Sequence, residues 1–278
     1  MNCWKGAPGE YISNRIATNL YRMKLYSILL VMLVVQSCSS ASSNKQNNSV
    51  SQPIQSSEKE VKKDSLPPEK LLPVRPELVD VQIVSPAIKV DLKYTYSDNF
   101  IGDTLYFLIK KAYLQKDVAQ KLAEAQRLLT AMNPDLHLLV YDAIRPREVQ
   151  TRMWVALDSI PVSQRVNFVS NPKNGSIHNY GAAVDLTICD GSGKPLDMGA
   201  GFDDIRKIAY PSMEKRFLQS GELIQLHIDN RNILRGVMRK AGFSSIPTEW
   251  WHFNSCSRQT AKAKYKIMET EADIFISN

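Results

Sequence analysis

The alternation of apolar and polar positions divides the chain into a patterned C-terminal part and a front end without a packing face. Ala87 to Thr95 alternates with the period of a half-buried strand. Leu114, Val118, Leu122, Ala125, Leu129 and Met132 fall at steps of three and four, so Tyr113 to Met132 is predicted to be an amphipathic helix lying on a sheet. Leu136 to Tyr141 is a compact apolar strand, and Pro146 opens a helix through Leu157, since proline suits the first helical position. After the turn-rich Asn171-Pro-Lys-Asn-Gly175, Ala183 to Cys189 alternates again. Val184, Leu186 and Ile188 form one face and Asp185, Thr187 and Cys189 the other, which directs Asp185 away from the core face. Leu226 to Ala241 is helical and closed by Gly242, and Thr248 to Asn254 is the last strand. Helices and strands that mix without regular alternation, and without a repeat, predict an α+β domain with a small central antiparallel sheet flanked by helices.

The front end reads differently. Met23-Lys24 is followed by Leu25 to Val35, eleven residues that are apolar except for Tyr26 and Ser27. That is too short to span a bilayer as a helix and suits the core of a secretion signal. The run ends at Val35-Gln-Ser-Cys38, which resembles a bacterial lipoprotein processing box, so residues 1–37 are expected to be a signal region, with the true start at Met23 and lipid on Cys38. Ser39 to Pro73 is mostly Ser, Asn, Gln, Lys, Glu and Pro, and has too little to bury to offset the entropy of ordering. It is expected to be a tether with a root-mean-square reach of roughly 30 Å, leaving 74–278 as the folded domain.

Composition narrows the partners. The net charge of +7 includes Lys5, Arg15, Arg22 and Lys24 against Glu10, so removing the signal region leaves +4. No basic stripe interleaved with aromatics is present, which gives a nucleic-acid role little support; the excess fits solubility or weak attraction to anionic wall polymers. Only Cys189 and Cys256 fall in the domain, and two cysteines are not a disulfide framework. Each lies four residues after a candidate ligand on an expected strand, which could make them neighbours, either bonded or, as is commoner, two separate buried thiols.

The candidate chemistry sits in Ser176-Ile-His-Asn-Tyr-Gly-Ala-Ala-Val-Asp185 and Glu249-Trp-Trp-His252. A catalytic zinc takes three protein ligands and leaves a position for water, and His178, Asp185 and His252 fit that count. Glu249 is left to act as general base. Because Glu249 and His252 are three apart, a regular strand would point them to opposite faces, so Glu249 is expected at a bend, for which Pro247 offers an irregular entry. Arg145, held at a strand end before Pro146, suits oxyanion stabilisation or a carboxylate clamp, or else an ion pair with Asp142 or Glu148. His137 and His227 lack ligand neighbours and read as structural.

These motifs resemble the D-alanyl-D-alanine dipeptidases, VanX-type zinc peptidases related to the D,D-carboxypeptidases and the wider lysostaphin-like group. The likeness runs from about Asp91 to Phe253 through Lys93-Tyr-Thr-Tyr-Ser-Asp-Asn-Phe-Ile-Gly102, Tyr141-Asp-Ala-Ile-Arg-Pro146, the Ser176 to Thr187 segment, Asp197-Met-Gly-Ala-Gly-Phe-Asp203 and Glu249-Trp-Trp-His-Phe253. The resemblance implies one zinc on His178, Asp185 and His252, Glu249 as base, Arg145 as transition-state stabiliser, and substrate contacts from Tyr94, lining the pocket, and Ser176. It implies hydrolysis of D-Ala-D-Ala. With an export signal, wall turnover or D-alanine salvage in the bacterial envelope fits better than antibiotic resistance, which does not follow from the resemblance. The competing readings are a related zinc D,D- or L,D-peptidase acting on longer peptidoglycan peptides and, from another class, a lipoprotein that binds wall peptides without cutting them.

Overall fold

The computed structural model describes residues 73–276 apart from 167; the expected signal, Cys38 and nearly all of the tether lie outside the described residues. In chain order the elements are β1 (Leu78–Asp80), the single-turn α1 (Val81–Val84), β2 (Lys89–Val90), β3 (Tyr113–Gln115), α2 (Lys116–Met132), β4 (His137–Asp142), α3 (Arg147–Ala156) and α4 (Val162–Arg165). There follow β5 (Ala183–Cys189), α5 (Glu214–Ser220), α6 (Gln225–Lys240), β6 (Ser244–Ser245), β7 (His252–Asn254) and α7 (Arg258–Lys264). Residues from Leu72 to Asn278 cluster as one compact unit. Among the described residues no helix is long and apolar enough to cross a membrane.

The main sheet has five strands in the order β2-β4-β5-β7-β6. It is mixed, not purely antiparallel as its pattern suggested, because β2 pairs parallel with β4. The chain between them, which includes β3 and α2, is long enough for the crossover that a parallel pair needs. A separate antiparallel pair joins β1 to β3.

α2 buries Val118, Ala119, Leu122, Ala125 and Leu129, the predicted stripe, and packs against β4 and α6. Its ends depart from the pattern: Leu114 belongs to β3, and Met132 is exposed. Gln126, polar yet buried, explains how the helix is tied to the next strand. Its Oε1 accepts the Leu138 N–H at 2.7 Å and its Nε2 donates to the Leu136 carbonyl at 3.2 Å.

Every residue of β5 is buried, so the simple inside-outside reading of its alternation fails. Val184, Leu186 and Ile188 lie on the helix-covered face, where α6 meets β5. Asp185, Thr187 and Cys189 lie under other cover: Phe202 packs against Leu139, Tyr141 and Cys189 and stacks near Trp251 and Tyr94. The loop carrying Phe202 therefore roofs the face that bears the candidate ligand.

Two predicted strands are shorter than their patterns. Only Lys89–Val90 of the first pairs in the sheet, and a 3-10 turn takes over at Lys93–Thr95. Thr95 closes it by donating its hydroxyl to the Leu92 carbonyl at 2.6 Å, while the Tyr94 carbonyl accepts the Leu105 and Tyr106 N–H groups. In the last, only His252–Asn254 is strand. Pro247 has no N–H to give a ladder, and its carbonyl is taken by Ser212. Cys189 and Cys256 are free. Because β5 and β7 run antiparallel with Asp185 opposite His252, four residues onward leads in opposite directions from the two ligands. The two thiols are therefore carried away from each other.

Candidate metal centre and active site

The register of three strands builds the site. An irregularity between Val140 and Asp142 sets Asp142 opposite Asp185, and Asp185 is opposite His252. The three form a row across the roofed face. His178 arrives from the 3-10 turn Ile177–Tyr180 just before β5, where Ser176 Oγ accepts the His178 N–H and Asn179 Oδ1 accepts the Ser176 N–H at 2.6 Å. Gly181 ends this turn at φ +63°, and a Cβ there would lie 3.3 Å from Ile144 Cδ1 and 3.4 Å from the Gln115 nitrogen. A glycine thus lets the chain reverse tightly from His178 into β5.

The candidate ligand atoms converge. His178 Nε2 lies 3.2 Å from His252 Nδ1 and 3.3 Å from Asp185 Oδ1, and His252 Nδ1 lies 2.9 Å from the same oxygen. Metal bonds of about 2.0–2.2 Å place ligand atoms roughly 3.3 Å apart around a tetrahedral zinc, so the set has the right scale. The remaining ring nitrogens fix the tautomers. His178 Nδ1 donates to the Ala143 carbonyl at 2.6 Å, and His252 Nε2 donates to Asn254 Oδ1 at 2.9 Å. Each ring therefore turns a lone pair toward the shared point, as metal-bound histidines do. Burial opposes ionisation of Asp185, yet the two imidazoles hold its pKa far below the usual carboxylate range. Among the described residues this is the His/Asp/His cluster able to hold a metal ion.

Arg145 is buried beside these groups. Its Nε donates to Asp142 at 2.7 Å, its Nη1 to Gln150 Oε1 at 3.2 Å and its Nη2 to Asp185 Oδ2 at 3.1 Å. It pairs with Asp142, one of the partners considered, but the pair is buried and extends to the candidate metal ligand. Glu249 precedes β7 in the irregular segment, with Oε2 3.9 Å from His252 Nδ1, and burial raises its pKa. Arg145, Ser176, His178, Asp185, Glu249 and His252 all line one cavity of about 220 Å³.

Tyr94 is different. It is fully buried and stands behind the cavity wall, its hydroxyl donating to Asp203 Oδ2 at 2.9 Å, with the Arg145 guanidinium 5.3 Å from its ring centre. The pocket-lining aromatic of its segment is Phe100, presented by a turn in which Asn99 donates to the carbonyls of Tyr96 and Asp103. Sequence reasoning missed Asp203, which lines the cavity in left-handed backbone at φ +58°. Burial, then the charge of Asp185, pushes its carboxyl well above the ordinary value. Asn254 and Gln150 were also missed. Asp142 had a visible signal in its three-residue spacing from Arg145; Asp203, one more aspartate at the end of a glycine-rich loop, had none.

Two imidazoles and a carboxylate converging beside a spare glutamate define a metal-dependent hydrolase site. A family model described as D-ala-D-ala dipeptidase matches residues 75–270. The D-alanyl-D-alanine dipeptidase of Escherichia coli K12 is 35% identical over 204 residues, covering 72% of this chain and 94% of its own. That of a Synechocystis species is 29% identical over 168 residues, covering 51% of this chain and 68% of its own. Among solved structures, the LdcB LD-carboxypeptidase aligns over 69% of this chain and 78% of its own, at 16% identity and a TM-score of 0.36. The chain belongs to the D-Ala-D-Ala dipeptidase family of zinc peptidases.

Proposed function

We propose that this chain hydrolyses D-Ala-D-Ala in the bacterial cell envelope, with one zinc held by His178, Asp185 and His252, serving wall turnover or D-alanine salvage. The reading extends to the front end: a signal through residue 37, lipid on Cys38, a tether to Pro73, and the enzyme from 74 to 278. The convergence of three tautomer-fixed ligand atoms beside Glu249 carries the proposal.

Zinc bound there would polarise the scissile carbonyl and acidify the attacking water. Glu249 takes the proton from that water and returns it to the leaving amine, a task matched to a carboxylate whose pKa burial has raised. Arg145 keeps Asp185 oriented and, as part of the cavity lining, supplies a fixed positive charge for the developing oxyanion. Asp203 favours a dipeptide over longer wall peptides. A partly buried carboxylate on the cavity wall is best satisfied by a cation, and a dipeptide carries a free ammonium one residue before the scissile bond, where a longer chain has a neutral amide. Tyr94 aims that carboxylate, and a cavity of about 220 Å³ suits a small substrate.

The test is incubation of zinc-loaded protein with D-Ala-D-Ala and with a wall pentapeptide ending in the same pair. The dipeptide is expected to be cleaved and the pentapeptide left whole. Cleavage of the longer substrate alone establishes the D,D- or L,D-peptidase reading instead, and no cleavage of either by metal-replete protein establishes the non-catalytic binder.

A further inference from the structure

Arg145 and His178 serve one reacting centre but come from separate stretches of chain, and neither is in a strand. Arg145 follows the end of β4, and His178 sits in the 3-10 turn before β5. Their mutual placement therefore depends on bonds that cross from residues 143–145 to residues 176–179. The Arg145 N–H donates to the His178 carbonyl at 3.1 Å, and His178 Nδ1 donates to the Ala143 carbonyl at 2.6 Å. Asn179 Nδ2 donates to the Arg145 carbonyl, also at 2.6 Å.

Asn179 is the node of this junction. Its Oδ1 accepts the Ser176 N–H at 2.6 Å, so the amide that grips the Arg145 carbonyl also closes the turn that aims His178. The backbone adds a further tie: the Asn179 carbonyl accepts the Met268 N–H at 2.8 Å, and the Met268 carbonyl accepts the Arg147 N–H at 2.9 Å. With its oxygen and nitrogen both engaged, the amide holds one orientation, because a flip would set N–H against N–H and oxygen against oxygen. The side chain is fully buried and is not part of the cavity lining, so whatever it does for the reaction it does through its neighbours.

We infer that Asn179 is a positioning residue that locks the Arg145 backbone to the His178 turn, and so fixes the oxyanion-stabilising charge relative to the metal ligands. The inference rests on the zinc-peptidase reading and deepens it. Removing the amide leaves the Ser176 N–H and the Arg145 carbonyl unpaired in the interior, and both stretches must shift to find new partners. A misplacement of about 1 Å at such a centre costs on the order of 100-fold in rate. Gln126 is a matched control. It is also a buried amide that joins two backbone groups, the Leu138 N–H and the Leu136 carbonyl, but it does so on α2, with no bond to the site.

The experiment compares the wild type with Asn179→Ala and Gln126→Ala in three readouts: Tm, zinc affinity by competition with a chromophoric chelator, and kcat and KM for D-Ala-D-Ala. Both variants are expected to lower Tm. Asn179→Ala is expected also to weaken zinc binding and to lower kcat, each by roughly 10- to 100-fold as for other outer partners of a metal site, with KM changed by less than about threefold. Gln126→Ala is expected to keep zinc affinity and kcat within about threefold of the wild type. Should Asn179→Ala not fold, Asn179→Ser, which retains a hydroxyl, is expected to show smaller losses in the same two quantities. An Asn179 variant that loses Tm alone, as Gln126→Ala does, or that changes only KM, overturns the assignment while leaving the dipeptidase reading in place. A zinc-loaded wild type that does not cleave D-Ala-D-Ala overturns both.

Discussion

His252 shows how one residue's surroundings set a measurable linkage. Burial alone would lower its pKa, but the hydrogen bond and charge of Asp185 raise it from the ordinary 6.5 to about 9. In metal-free protein that proton therefore contributes stability fully present below pH 6.5 and lost as pH rises through about 9. Zinc needs the same lone pair, so it must displace the proton. The rise in Tm on adding zinc to chelator-stripped protein is expected to grow from pH 6.5 to 9 and to level off above; a rise that is constant with pH would mean that zinc and proton do not compete at this ring. Most of the residues that meet at the cavity were legible, because imidazole, carboxylate and glutamate at motif spacing carry a recognisable chemistry. Asp203 was not, since one more aspartate in a glycine-rich loop has no such mark until Tyr94 and the cavity lie beside it. Tyr94 was read as lining the pocket, whereas it stands behind the wall with its hydroxyl on Asp203.

At the scale of elements, α6 grips the loop that ends at Asp203. Asn230 donates to the Asp197 carbonyl and Arg231 to the Met198 carbonyl, both at 2.8 Å. Gly199 sits at φ +71°, and a Cβ there would lie 2.4 Å from both His227 Nδ1 and Leu223 Cδ2. Gly199→Ala is expected to cost about 1–3 kcal/mol in denaturant unfolding and to raise KM for D-Ala-D-Ala by moving Asp203. Unchanged stability and KM would show that the loop yields freely. His227, read as structural from sequence, is indeed a wall of this loop, with Nε2 3.2 Å from Asp197. Helices were the most legible elements because a buried stripe repeats over several turns. The last strand was not, because Thr248 to Trp251 leave the ladder for irregular backbone that puts Glu249 beside the ligands. The parallel pairing of β2 with β4 depends on the path of the crossover, which no local pattern records.

For the whole molecule, the proposed division predicts that anchoring and catalysis separate. Cys38→Ala should move the expressed protein from the membrane fraction to the soluble fraction without changing kcat/KM per zinc-loaded molecule. Retention in the membrane would remove lipidation from the account. The fold itself supplies the reason for expecting independence: every proposed ligand and catalytic group lies between Arg145 and His252, inside the compact unit that holds the described residues. The central claim is that three convergent ligands hold zinc and Glu249 moves the proton. It is tested most directly by zinc analysis together with D-Ala-D-Ala hydrolysis in the wild type and Glu249→Gln. One zinc per chain is expected in both proteins, with a fall in kcat of about 10²- to 10⁴-fold in the variant. Full activity in Glu249→Gln, or a zinc-free wild type that still cleaves the dipeptide, would contradict it.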